Sequence, residues 1–163
     1  MSFIETPRLL LRTWLPADEA PLAAIYGDPA VVAMLPFGVL DLRQTREKIA
    51  TMAADYEREG LALWPVVLKS NGELIGVCGL MGKRDDREAE FGIAIARTHW
   101  GEGYASEAAR ATIDFGLGAL GKTRIIALVR FENQRCVKLM HRVGMSFDRV
   151  VRMRRADLLR YVS

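Results

Sequence analysis

A strand, a glycine-containing turn, a helix and a second strand follow one another between residues 89 and 129. Residues 89–95 and the β-branched run 125–129 have the apolar character of strands, and residues 105–120 have apolar side chains at helical spacing. A helix that connects two strands in this way normally makes a right-handed crossover between parallel neighbours. The turn is therefore predicted to lie at the carboxyl end of the first strand, where open α/β sheets bind ligands.

The turn contains Gly101 and Gly103, separated by one residue. Glycine lets a ligand come close to the backbone, and the helix that follows presents unpaired N–H groups and the positive end of its dipole. Such an arrangement binds phosphate without a basic side chain. The sequence therefore predicts a phosphate-containing ligand at this turn.

Elsewhere the chain predicts further strands and helices, with no repeat and no interdomain linker. We predict strands at residues 8–14, 62–68, 74–80, 145–153 and 158–162, and helices at residues 18–26, 42–59 and 133–143. Residues 27–41 are the one long irregular stretch and suit a loop over a binding site. At 163 residues we expect one domain, residues 1–163, that buries its own core.

Charge indicates a protein that does not bind nucleic acid. The net charge is only +3. A cluster of arginines near the end of the chain is more typical of a solvated strand face than of a nucleic-acid surface. Its members are Arg149, Arg152, Arg154, Arg155 and Arg160.

Membrane and metal-binding classes are also disfavoured. The longest apolar run, residues 61–68, contains Pro65 and is far shorter than a membrane helix, and the first residues lack a signal-peptide layout. Cys78 and Cys136 lie in apolar segments without metal-ligand spacing. We therefore expect a cytoplasmic protein with no membrane partner and no metal.

Two other phosphate-binding motifs fit less well than the turn at Gly101 and Gly103. Residues 116–123 match the Walker A pattern by letter, but a helix precedes them and a strand follows, the reverse of what that loop requires. We interpret these residues as the end of a helix. A dinucleotide-binding turn would need a third glycine where Ser106 stands, and an acid after the next strand, which ends in Val129 and Arg130.

Four stretches together resemble the GNAT superfamily of acyl-coenzyme A dependent N-acetyltransferases, in the branch that contains the ribosomal-protein N-terminal acetyltransferases. Residues 5–12 (ETPRLLLR) and 74–80 (LIGVCGL) look like the first and third strands of that branch. Residues 90–95, followed by 100–105 (WGEGYA), are similar to the pyrophosphate-loop motif of the family. Residues 133–145 resemble the motif built from the last helix and the last strand pair.

The resemblance implies an α+β fold with a twisted, mostly antiparallel mixed sheet of about six to seven strands and helices on both faces. The sheet is expected to splay between the fourth strand (residues 89–95) and the fifth (residues 125–129). The pantetheine arm of acetyl-coenzyme A would pair there like an extra strand. The implied ligand contacts are the main chain of Ile93, Ala94 and Ile95 for pantetheine, the loop Trp100, Gly101, Glu102, Gly103, Tyr104 and Ala105 around the pyrophosphate, Asn133 for pantetheine, and Lys138 for the adenosine phosphates. Within that loop, Trp100 is expected to pack rather than to bind anions.

Acetyl transfer also needs a base, a donor to the thioester oxygen and a route for the leaving sulfur. Glu90 matches a position where many family members carry a glutamate that acts directly or through water, and its alternative interpretation is a solvating strand carboxylate. A backbone N–H near Ile93 would stabilise the oxygen. Met140 occupies a position where many family members have a tyrosine that acts as the general acid. The general acid is therefore not assigned. We interpret Cys136 as a packed thiol and keep His99 as a lesser proton carrier.

The resulting hypothesis is an enzyme that transfers an acetyl group from acetyl-coenzyme A to a primary amine by direct attack. The acceptor is a protein N-terminus or a small-molecule amine, and no residue pattern identifies which. An alternative hypothesis is a non-catalytic acyl-coenzyme A sensor on the same scaffold. Exposed sheet edges would allow pairing into a homodimer.

Overall fold

The computed structural model describes residues 2–153 and 155–163, so Arg154 of the arginine cluster lies outside the described residues. The helices in these ranges are α1 (Glu19–Tyr26), α2 (Pro29–Val32), α3 (Leu42–Glu59), α4 (Tyr104–Leu117) and α5 (Gln134–Arg142). The strands are β1 (Ser2–Glu5), β2 (Leu9–Arg12), β3 (Leu63–Leu68), β4 (Leu74–Met81), β5 (Glu88–Ile95), β6 (Arg124–Arg130), β7 (Ser146–Met153) and β8 (Ala156–Val162). None of the helices in these ranges is both long and apolar enough to cross a membrane.

The strands form one mixed sheet. Among the described residues it has eight strands in the order β1-β2-β3-β4-β5-β6-β8-β7. Every neighbouring pair is antiparallel except β5 and β6, which are parallel and are connected through α4. The predicted α+β fold, with its mostly antiparallel sheet and one crossover, is confirmed.

The sheet has eight strands among the described residues, whereas six to seven were predicted, because the first residues add a strand that forms a hairpin with β2. Thr6 closes the turn between β1 and β2: its backbone N–H donates to the Leu9 carbonyl at 3.0 Å, and its hydroxyl accepts from the Leu9 N–H at 2.9 Å. Pro7 has no N–H to extend a strand ladder through the turn. The expected first strand at residues 8–14 is shorter in the structure, where β2 spans Leu9–Arg12.

The two parallel strands separate after a short paired segment. Their register pairs Glu88 to Glu90 with Arg124 to Ile126, and the described pairing stops there although both strands continue. On the other edge of β5, pairing with β4 continues to Ile95, and the Ala96 N–H donates to the Ile75 carbonyl at 2.8 Å. Because peptide groups alternate along a strand, those of Ile93 and Ile95 face the gap beside β6. The predicted splay is therefore present.

Helices cover both faces of the sheet, as predicted. On one face α4 packs closely, because a Cβ at Gly116 would lie only 2.7 Å from the side chains of Leu80 and Ile125. Met140 of α5 is fully buried in the same core. On the opposite face α1, α2 and α3 form a second core against β4. Residues Leu74 to Leu80 of β4 are accordingly buried throughout.

Two local predictions have different outcomes. The stretch 27–41 is not wholly irregular, because it contains α2, whose amino end is capped by the Asp28 carboxylate accepting from the Ala30 N–H at 2.9 Å. The Walker A look-alike is a helix end, as expected. Its Lys122 is buried and donates to the carbonyls of Lys83, Arg84 and Asp86 at 2.7–2.9 Å.

Candidate functional site

The gap between β5 and β6 opens into a cavity of about 600 Å³. Its walls come from the end of β5, the loop before α4 with the first turn of α4, one side of α5 along its length, and α2 with the residues after it. The predicted residues that line it are Ile93, Ala94, Ile95, Trp100, Gly101, Gly103, Tyr104, Ala105 and Asn133. Glu90, Glu102 and Lys138 are not among its lining residues. Most of the residues implied by the resemblance thus surround one cavity.

The loop before α4 has the backbone shape of an anion site. Gly101 and Gly103 adopt φ values of +83° and +82°, which favour glycine. Gly103 is the N-cap of α4 and has no side-chain cap among the described residues. The first α-helical bond runs from the Glu107 N–H to the Gly103 carbonyl, so the amides of the first turn have no partner within the helix. They are available to a negatively charged ligand.

Trp100 packs at the side of the cavity, as its sequence context suggests. Its Nε1 donates to the Ile95 carbonyl at 2.8 Å, which ties the loop to the end of β5. The guanidinium of Arg135, from α5, lies 3.4 Å from the centroid of the Trp100 ring. Arg135 also lines the cavity, whereas Lys138 does not; both residues are exposed, and the sequence analysis named Lys138 but not Arg135. The only available signal was a basic residue two positions after Asn133.

Asn133 caps α5 and also lines the cavity. Its side-chain oxygen accepts from the Cys136 N–H at 3.2 Å and caps α5. The amide nitrogen of the same side chain is not used by this cap and can donate to a ligand. The hypothesis that Asn133 contacts pantetheine is therefore compatible with its role as a cap.

Glu90 lies where β5 and β6 begin to separate. It is opposite Met81 on β4 and Ile126 on β6, and it is partly buried. It lines a second concavity of about 440 Å³, together with Asp86 and Glu88. Strand alternation directs its side chain to the face opposite that of Ile93. Glu90 is thus near the apex of the cleft, on the same face of β5 as Ala94, but it does not line the main cavity.

The other candidate proton carriers are hydrogen-bonded or buried. His99 lines the cavity, and its Nε2 lies 2.9 Å from the Glu73 carboxylate. The hydrogen bond from His99 holds the pKa of Glu73 below its ordinary value. Burial raises the pKa of the Cys136 thiol to about 11, which agrees with a packed thiol rather than a nucleophile. Met140, with no ionisable group, is fully buried.

Known proteins share this fold. A family model described as an acetyltransferase (GNAT) domain matches residues 8–146, and the chain belongs to this family. An uncharacterized N-acetyltransferase, p20, from Bacillus licheniformis is 34% identical over 157 residues, which cover 93% of this chain and 86% of that protein. The crystal structure of a GNAT-family acetyltransferase from Bacillus anthracis has a TM-score of 0.85 at 25% identity, over 98% of this chain and 95% of that one.

A more distant structure contains ligands. It is a spermidine N-acetyltransferase from Vibrio cholerae in complex with CoA and spermine, with a TM-score of 0.81 over 97% of this chain and 96% of that one. Its identity to this chain is 20%, so the likeness extends to the fold. The GNAT resemblance inferred from the motifs is confirmed at the level of the family.

Proposed function

We propose that this chain binds acetyl-coenzyme A in the cleft between β5 and β6 and transfers the acetyl group to a primary amine. One observation carries the proposal: the free edge of β5 and the glycine loop of α4 border the same cavity of about 600 Å³. A strand edge suits the amide-bearing pantetheine arm, and a helix amino end suits a diphosphate. The cavity volume falls in the range of ordinary cofactor sites.

The binding roles follow from the direction of each group. Peptide groups of Ile93 and Ile95 face the cleft and pair with pantetheine, while Ala94 contributes its side chain to the wall. Amides from Gly101 to Ala105 hold the diphosphate, and the Asn133 side-chain amide donates to pantetheine. Lys138 stays a prediction for the adenosine phosphates, with Arg135 as a second cation at the cavity. In the same scheme, Glu102 offers only its backbone N–H.

The chemical step needs little from side chains. A bound amine attacks the thioester carbon, and the Ile93 N–H donates to the oxygen as it gains charge. Glu90 accepts the ammonium proton, through water because it does not line the main cavity. The C–S bond breaks and the sulfur leaves as thiolate, which is tolerable near neutral pH because a thiol has a pKa of about 8.5.

The acceptor is proposed only as a primary amine, on a protein N-terminus or a small molecule. The Vibrio cholerae neighbour acts on spermidine, which supports amine acceptors for the fold in general. The ribosomal-protein branch remains a prediction from the motifs. We also infer that residues 1–163 act as one domain in the cytoplasm, without nucleic acid or membrane partners.

The test combines binding with turnover. Calorimetric titration with coenzyme A should show binding, and acetyl-coenzyme A with a panel of primary amines and peptide N-termini should release free thiol. No binding would contradict the proposal. Binding without thiol release for any acceptor would favour the acyl-coenzyme A sensor. Two observations are compatible with a sensor: Met140 is buried and cannot donate a proton, and Glu90 does not line the main cavity.

A further inference from the structure

Arg8, in the turn between β1 and β2, lies against the glycine loop. Its Nη1 donates to the Glu102 carbonyl at 3.0 Å, and its guanidinium lies 4.3 Å from the centroid of the Tyr104 ring. A Cβ built on Gly103 would come within 3.4 Å of Arg8 Nη2. The side chain therefore contacts Glu102 and Tyr104 and lies beside Gly103.

Glu107, in the first turn of α4, binds the same hairpin turn. Its Oε1 accepts from the Thr6 hydroxyl at 2.6 Å and from the Arg8 backbone N–H at 2.9 Å. Its Oε2 accepts from Arg8 Nε at 2.6 Å. Burial opposes ionisation of Glu107, but these hydrogen bonds outweigh it and hold its pKa below the ordinary value. The carboxylate is therefore charged at neutral pH.

A charged carboxylate at this position creates a conflict for a diphosphate site. Glu107 follows Ala105, the last of the amides that would hold the diphosphate, by two residues, or about 3 Å along the axis, and it follows Gly103 by four residues, or about 6 Å. The helix dipole favours an acid there in the free protein, but a bound diphosphate would be repelled by it. The guanidinium of Arg8 lies between the carboxylate and the loop, and it cancels that charge.

We propose that Thr6, Arg8 and Glu107 form a latch that holds the glycine loop in its diphosphate-binding shape and neutralises Glu107. The inference rests on the proposed coenzyme A site and assigns a role to the motif at residues 5–12. These are positioning residues: they act through the loop and through the local charge. The hydrogen bond to the Glu102 carbonyl fixes the peptide between the two left-handed glycines.

The latch makes a prediction about the sign of coupling between two substitutions. Arg8→Gln leaves Glu107 charged without its cation, so coenzyme A affinity should fall roughly tenfold or more. Glu107→Gln should lose less, because Arg8 keeps its charge beside the loop. The double variant should bind coenzyme A better than Arg8→Gln alone, because the repelling carboxylate is gone. Pantetheine, which has no phosphate, should be affected little by any of them.

The experiment is calorimetric titration of the full chain and these three variants with coenzyme A and, separately, with pantetheine. Arg12→Gln is the matched control, because this second arginine of the same segment pairs with Asp18 and not with the loop. It should lower the melting temperature without changing coenzyme A affinity. If Arg8→Gln does not fold, Arg8→Lys keeps the charge and loses the bidentate geometry, and it should fall between wild type and the expected Arg8→Gln loss.

The outcomes separate this inference from the proposed function. A double variant that binds coenzyme A no better than Arg8→Gln overturns the latch, as do equal losses for coenzyme A and pantetheine. Wild-type affinity in Arg8→Gln or Arg8→Lys overturns it as well. A wild-type chain that does not bind coenzyme A at all removes the proposed function, and the latch with it.

Discussion

At the scale of single residues, Gly103 meets two requirements at once. It has a φ of +82°, and it is the point at which α4 begins beside the cavity. Gly103→Val should cost about 1–3 kcal/mol of stability through backbone strain. It should also abolish measurable coenzyme A binding, because relief of the strain at this φ and the added side chain against Arg8 would shift the loop amides from their positions. Thermal melting and calorimetry measure the two effects.

Gly72 provides the control for that strain. It has a φ of +77° in the turn between β3 and β4, and a Cβ there would meet nothing within 4 Å. Gly72→Val should therefore lower stability by a similar amount and leave coenzyme A affinity unchanged. If both variants bind coenzyme A as wild type does, the loop is not the diphosphate site.

Glu90 is the second residue on which the chemistry depends. Glu90→Gln removes the proposed base. Because Glu90 does not line the main cavity, coenzyme A affinity should stay at the wild-type value. The turnover number should fall about 10²–10⁴-fold, the usual contribution of general base catalysis. The acid limb of the pH profile should flatten, because the group that must lose its proton there is gone. Steady-state rates across pH measure both changes.

The neighbouring acid on the same strand separates catalysis from local charge. Glu88 is two residues away, on the same face, and it pairs with Arg124 and Arg160. Glu88→Gln should weaken these ion pairs and lower stability while it keeps the wild-type pH profile. Equal rate losses in the Glu88 and Glu90 variants would show that only the charge of this surface matters.

At the scale of elements, Lys122 holds the loop between β4 and β5 in place. Its Nζ donates to carbonyls of Lys83, Arg84 and Asp86, and the residue is 5% exposed. Lys122→Met leaves these carbonyls without their donor, so the free energy of unfolding should fall by about 1–3 kcal/mol or more. Lys83→Met changes an exposed lysine of the same loop and should be nearly neutral. Chemical denaturation of both variants measures the difference.

Elements with local signals were predictable, and those held by distant contacts were not. The predicted helix at residues 42–59 has the same bounds as α3, because Asp41 and Gln44 form a capping box and Gly60 ends the helix at a φ of +70°. By contrast, α2 is only four residues long, so it has too few residues to show a period. The loop glycines could be named from the sequence because their positive φ values and their position before α4 are local features.

The contacts that the sequence analysis did not predict join segments far apart in sequence. Arg8 and Glu107 are 99 residues apart, and no periodicity connects them. Arg135 was passed over because the stack on Trp100 depends on how α5 approaches the loop, which the spacing within α5 does not define. The placement of Glu90 relative to the cavity likewise required the point at which β5 and β6 separate. Sequence reasoning thus gave the residue types, and the structure gave their directions.

At the scale of the whole molecule, the cleft divides the sheet into two parts. Strands β1 to β5 form one part and β6 to β8 the other, and their direct pairing is limited to the Glu88–Glu90 segment of β5. A ligand that pairs with Ile93 and Ile95 and contacts α5 would bridge the two parts. Coenzyme A should therefore stabilise the fold as a whole, and it should protect specific amides in the cleft.

Both effects are measurable. Free coenzyme A at 100 times its Kd should add about 2.7 kcal/mol to the free energy of unfolding. For a chain of this size, that corresponds to a rise in melting temperature of roughly 5–10 °C. Local hydrogen exchange should slow at the amides of Ile93 and Ile95, which face the cleft. Exchange should change little at the Ala94 amide, which already faces β4, and in the β7–β8 hairpin. An equal response at all three Ile93–Ile95 amides, or a response centred on β7, would contradict the proposal that the ligand pairs with β5 like a strand.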